Sequence, residues 1–112
     1  MEVDFKSNKL KRQLTQAKDL MKTFGQMAKK VSQRMAELKS ADNLMVMKSI
    51  PAAKCHELTG DRKGQLAVTV SGNYRMIFIP DHEPIPKTVD NGLDWQAVTA
   101  IKIIEIEDYH GA

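Results

Sequence analysis

The stretch Leu66-Ala67-Val68-Thr69-Val70-Ser71-Gly72-Asn73-Tyr74-Arg75-Met76-Ile77-Phe78-Ile79 decides the fold class. Leu66, Val68 and Val70 alternate with Thr69 and Ser71, the two-residue period of a strand with one buried face. Ser71-Gly72-Asn73 is turn chemistry, because Gly and Asn tolerate the backbone angles a tight hairpin needs. Tyr74 to Ile79 then reads as the returning strand. Downstream, Pro80, Pro84 and Pro86 punctuate a polar loop running to about Trp95. Thr99 to Glu107 carries Ile101, Ile103, Ile104 and Ile106 and reads as the last strand. The adjacent pair Ile103-Ile104 breaks strict alternation, so this strand is expected to be covered on both faces or bulged.

Upstream of the hairpin the period changes. Val3 and Phe5 alternate with Glu2, Asp4 and Lys6 as in a short strand, and Ser7 is placed to cap a helix. Leu10, Leu14, Ala17, Met21 and Phe24 then recur at steps of three and four, which predicts one amphipathic helix. Gly25 follows as its terminator. Met27 or Ala28, Val31, Met35 and Leu38 form a second stripe, so the two helices read as an antiparallel hairpin. Their outer faces are expected to hold Lys9, Lys11, Arg12, Lys18, Lys22, Lys29, Lys30, Arg34 and Lys39. Asp42 is placed to cap one more short turn through Met45 to Met47, and Pro51 stops any helix there. Met21, Met27, Met35, Met45 and Met47 read as core filler or as a soft face that a partner helix covers. The order strand, two helices, three strands predicts an α+β fold, with the helices grouped on one side of a mostly antiparallel sheet.

At 112 residues the chain is expected to form one domain, residues 1–112, with a single core. No apolar run approaches the roughly 20 residues that span a bilayer. The N-terminus has no apolar signal region, and the lone Cys55 has no partner for an internal disulfide; both fit a cytoplasmic protein with no membrane association. The net charge of +3 conceals an asymmetry. Residues 1–63 carry 14 Lys and Arg against 7 Asp and Glu, whereas residues 64–112 carry 3 against 7. A surface that meets polyanions or an acidic partner is one reading; helices solvated by lysine are the other.

Two clusters can carry chemistry. The first, His56-Glu57-Leu58-Thr59-Gly60-Asp61-Arg62-Lys63-Gly64, packs an imidazole and two cations between glycines that permit tight turns. Arginine grips phosphate with two prongs and lysine supplies a point charge. The second, Asp108-Tyr109-His110, follows the last strand. Cleaving RNA needs a base for the ribose 2′-hydroxyl, cations for the charge on the phosphoryl oxygens, and an acid for the departing oxygen. Histidine suits either proton role, and fixed cations supply the electrostatic stabilisation. Arg75 is a third cation that can point from the sheet into such a site. Each cluster also has a plain reading, as a solvated turn and a frayed terminus. His82 is expected to be exposed and uninvolved. Cys55 reads as a small buried residue and Trp95 as a lid on the core edge. Cys55, His56, His82 and His110 form no recognised ligand spacing, so no metal or other cofactor is expected.

Taken together, His56 to Gln65, Gly72-Asn73-Tyr74-Arg75-Met76-Ile77-Phe78 and Glu107-Asp108-Tyr109-His110 resemble the successive signatures of HigB-type toxins of the RelE/ParE superfamily. These are often named plasmid maintenance or host growth-inhibition killer proteins. The resemblance spans nearly the whole chain. It implies a microbial-RNase-like sheet with the helices beside it, and ribosome-dependent cleavage of mRNA by a type II toxin. It also implies restraint by a helix-turn-helix (HigA-like) antitoxin, through which alone operator DNA is met. Carried over by residue, the catalytic positions are His56, Asp108, Tyr109 and His110, and Arg62, Lys63 and Arg75 hold phosphate. One position departs from the pattern: related toxins have lysine three residues after the first histidine, where this chain has Thr59, and a hydroxyl cannot supply that charge. Two other functions compete. A gyrase-inhibiting superfamily member that acts by binding has no need of the Asp108-Tyr109-His110 triplet, and a plain RNA-binding module depends on the lysines alone.

Overall fold

A computed structural model describes residues 1–108. Five strands form one sheet in the order β1-β5-β4-β3-β2. They are β1 (Glu2–Phe5), β2 (His56–Glu57), β3 (Leu66–Ser71), β4 (Tyr74–Pro80) and β5 (Ala100–Asp108). All pairings are antiparallel except β1 with β5, which run parallel from Glu2↔Ala100 to Phe5↔Ile103. The α+β architecture with helices beside a mostly antiparallel sheet is the one the periodicities predict.

The N-terminal helical region is more broken than its sequence stripe. Ser7 caps α1 (Asn8–Thr15), its hydroxyl accepting from the Leu10 amide at 3.1 Å. Gln16 is extended, and the chain resumes as α2 (Ala17–Phe24), so the single expected helix is two. Thr15 Oγ1 donates to the Lys11 carbonyl at 2.6 Å, a side-chain bond that competes with helical continuation. The break shifts the helical phase: Leu14 is buried and Phe24 packs on the core as expected, but Ala17 and Met21 are exposed and Leu20 packs there instead. Gly25, with φ of 53°, turns the chain through a short 3₁₀ segment into α3 (Ala28–Ser40).

α3 presents Ala28, Val31, Met35 and Leu38 to the interior, the expected stripe. Arg34 corrects the expectation of an outward cation. It is buried, donating from Nε to the Thr69 carbonyl at 2.7 Å and pairing with Glu37 at 3.0 Å. A buried guanidinium is tolerable only when its donors are used in this way. The next turn is a 3₁₀ segment, Leu44–Ser49, with Asn43 rather than Asp42 at its N-terminus.

The core lies between the helices and one face of the sheet. Leu66, Val68, Met76, Phe78, Ile101 and Ile103 meet Val31, Met35 and Leu38 there. The isoleucine irregularity in β5 is a bulge. Ile77 pairs with Glu105 but Phe78 pairs with Ile103, leaving Ile104 as the extra residue. Ile104 packs on the opposite face with Leu58, Ala67 and Ile77. Both expectations for that strand therefore hold together, because the extra residue lets two neighbouring isoleucines serve opposite faces.

Candidate active site

The face of the sheet away from the helices is organised by register. Paired residues share a face, so His56↔Ala67, Ala67↔Ile77 and Ile77↔Glu105 form one cross-strand row. Thr69↔Arg75 and Arg75↔Glu107 form the next row. Strand pairing thus places an imidazole, a guanidinium and two carboxylates on one surface. None of these residues is near the others in sequence except Glu105 and Glu107.

Arg62 joins them from a turn. Gly60, at φ of 63°, and Gly64, at φ of 92°, bound the segment and take left-handed angles that residues with a Cβ adopt only at a cost. The 3₁₀ turn Gly60–Arg62 carries the guanidinium back over the sheet, where it meets Glu105 at 2.7 Å and Gln65 at 2.7 Å. The hydrogen bond to Glu105 is the main cause that holds the Arg62 pKa above its ordinary value. His56, Glu57, Leu58, Thr59, Asp61, Arg62 and Arg75 line a cavity of about 440 Å³.

His56 is exposed, with its Nδ1 2.8 Å from the Lys54 carbonyl. The neighbouring Glu57 belongs to the helix side, where its Oε2 accepts from the Trp95 indole at 3.3 Å. Lys48 lies 4.0 Å from the centroid of that ring, and Trp95 is buried at the core edge as expected. β2 is only two residues long, so this tie supports the strand that carries His56. Cys55, half-buried beneath it, has its thiol pushed up to about 12 by burial.

Of the residues singled out in the sequence, His56, Arg62 and Arg75 are brought to one cavity. Lys63 is exposed and is not among its lining residues. Asp108 is the last residue of β5, exposed and paired opposite Tyr74. Tyr109 and His110 lie outside the described residues. Thr59 stands in the cavity wall. His82 corrects the expectation of an exposed side chain: it is half-buried, and its Nε2 accepts from the amides of Thr99 and Ala100 at 3.1 and 3.3 Å at the entry to β5. What the sequence reading missed is the acidic partnership. Glu105 and Glu107 sit two residues apart in a strand, the spacing that sends both to one face, but only the register shows that this face holds arginines. Chemically, the cavity sets an imidazole and two guanidinium groups around one space.

Three comparisons extend these observations. Residues 3–92 match the family described as RelE-like toxin of type II toxin-antitoxin system HigB. The matched segment includes His56, Arg62, Lys63 and Arg75 and ends before β5. Among solved structures, a YoeB/ParE toxin from Agrobacterium tumefaciens superposes with a TM-score of 0.53 over 98% of this chain and 100% of that one. At 12% identity that likeness is one of fold. No curated protein sequence matches the chain. The matched family implies an antitoxin as partner, and among the described residues no helix is long and apolar enough to cross a membrane. With most of its length matched by that family and its whole fold shared with a toxin of the same superfamily, this chain belongs to the HigB-like family of RelE-like type II toxins.

Proposed function

We propose that this toxin is an mRNA endoribonuclease that acts on the translating ribosome and needs no metal for its chemistry. The observation that carries this reading is the strand register that puts His56 and Arg75 on one face, with Arg62 closing over them around a single cavity. In the proposed reaction a ribose 2′-hydroxyl loses its proton and attacks the adjacent phosphorus. The bond to the 5′-oxygen breaks, and that oxygen takes up a proton. His56 and His110 share the two proton transfers, Asp108 orients or joins them, and Tyr109 stacks on a base or hydrogen-bonds. Arg62, Arg75 and Lys63 hold the phosphate, the electrostatic contribution that dominates such reactions.

The exposed lysines of α1, α2 and α3 face ribosomal RNA, whose condensed counterions are released on contact. In this reading the ribosome holds the message and the toxin brings its cavity to it. The antitoxin is a HigA-like helix-turn-helix protein, so the toxin meets operator DNA only through it, and the pair works in the cytoplasm. The test is induced expression of the parent beside His56→Ala, Asp108→Ala and His110→Ala variants, with growth and transcript 5′ ends read together. New transcript ends and growth arrest are expected for the parent, and both are expected to fade in the variants. Growth arrest with intact messages in all four would overturn the nuclease reading.

A further inference from the structure

The two arginines that line the cavity beside His56 are held by carboxylates of β5. Arg75 donates from Nε and Nη2 to one oxygen of Glu107, at 3.1 and 2.8 Å. Arg62 Nη2 reaches the other oxygen of the same carboxylate at 2.5 Å and Glu105 at 2.7 Å. One carboxylate therefore bridges two guanidinium groups that arrive from different elements, a strand and a glycine-bounded turn. The side chains of Glu107 and Arg75 are 20% and 13% exposed, so this is a partly enclosed cluster and not a chance surface pair. Among the described residues Arg62 and Arg75 meet Glu105 and Glu107, so each guanidinium already faces a carboxylate.

A carboxylate engages guanidinium through a pair of oxygens in the same planar, forked manner as phosphate does. Glu107 divides its oxygens between the arginines: Oε1 takes both Arg75 donors and Oε2 meets Arg62 Nη2. We infer that Glu107 is the resident occupant of an anion subsite formed by Arg62 and Arg75, and that an RNA phosphate takes this subsite by displacing its carboxylate. The inference rests on the reading of those arginines as phosphate-holding residues. It assigns Glu107 a role in affinity: the subsite is masked in the free toxin and opens when a polyanion held elsewhere delivers a phosphate into it. The position suits displacement. β1 flanks β5 only as far as Ile103, so among the described residues the Glu107 segment has a strand neighbour on one side alone.

The test measures binding without cleavage. The probe is a short single-stranded oligodeoxyribonucleotide, which lacks the reacting 2′-hydroxyl, titrated by fluorescence anisotropy at low salt. Glu107→Gln keeps the size and an acceptor oxygen but removes the charge. It is expected to bind on the order of tenfold tighter than the parent, the low end of what removing one unit charge a few ångströms away produces in a partly solvated site. The gain should vanish in the Glu107→Gln/Arg75→Ala double variant and shrink with added salt. Glu105→Gln, at the more exposed carboxylate, should act in the same direction and less. Folded Glu107→Gln that binds equally or more weakly would make Glu107 a structural brace and overturn the inference. Should Glu107→Gln not fold, an unchanged or weakened Glu105→Gln has the same consequence. The two readings separate cleanly: tighter binding without transcript cleavage by the parent removes the nuclease and keeps the masked subsite, while cleavage with no gain in affinity does the reverse.

Discussion

The Nδ1 of His56 faces the carbonyl oxygen of Lys54 at 2.8 Å, so in the neutral ring Nδ1 carries the proton and Nε2 is left to accept one. Lys54 makes this possible by adopting a left-handed backbone conformation, φ 46°, which turns its carbonyl towards the ring. A base that removes a hydroxyl proton needs one free ring nitrogen, and the contact supplies it. Under the proposed nuclease reading, His56→Ala is expected to lower message cleavage on programmed ribosomes by about 10²- to 10⁴-fold. Because His56 is exposed, the thermal midpoint should stay that of the parent. A parallel loss of both would assign the residue to folding instead.

Arg34 is the clearest stability prediction. Arg34→Ala removes the donor to the Thr69 carbonyl and leaves Glu37, in a half-buried setting, with the Gln33 amide but no ion-pair partner. The expected cost is about 2–4 kcal/mol, read as a lower urea midpoint with an unchanged slope. Arg34→Lys keeps the charge but not the two-pronged reach, and is expected to recover only part of the loss.

The thiol of Cys55 should be unreactive in the folded protein. With its pKa at about 12, it stays protonated at pH 8, and alkylation by iodoacetamide is expected to be slow until denaturant is added. The sign of the pH dependence follows from the same shift. Between the ordinary thiol value of 9.0 and about 12, the unfolded chain has released this proton and the folded chain has not. Stability is thus expected to fall as pH rises through that window, and Cys55→Ser should flatten the decline.

Trp95→Phe tests the support of the shortest strand. It removes the donor to Glu57 while keeping a ring beneath Lys48. A loss of about 1 kcal/mol is expected by chemical denaturation, with faster amide exchange in β2. Lys48→Ala leaves the hydrogen bond in place and is expected to cost less than about 1 kcal/mol.

Charge reversal on the helices should separate recruitment from chemistry. Lys11, Lys18 and Lys22 are exposed, so replacing them by glutamate is expected to leave the unfolding transition in place. Ribosome binding should weaken, and its salt dependence should flatten by about one unit of logarithmic slope for each lysine that meets a phosphate. An unchanged slope would move the ribosome contact to another face.

The elements of this protein were legible in its residues because each has a local cause. Ser7 caps a helix through an amide three residues on, Gly72 and Asn73 close a hairpin, and the doubled isoleucine at 103 and 104 already required a bulge or two covered faces. Those are short-range consequences of backbone geometry and side-chain period. The break at Gln16 was not visible, since the apolar spacing from Leu10 to Phe24 fits one helix and the interruption appears only where packing selects Leu20 over Met21. The inward turn of Arg34 was hidden for a related reason: its partner, the Thr69 carbonyl, lies 35 residues away. The site divides in the same manner. His56, Arg62 and Arg75 were identifiable as chemical types, but their meeting at one cavity, and the hold of Glu107 on both arginines, depend on strand register, which a slip of one residue would undo by sending every side chain to the opposite face.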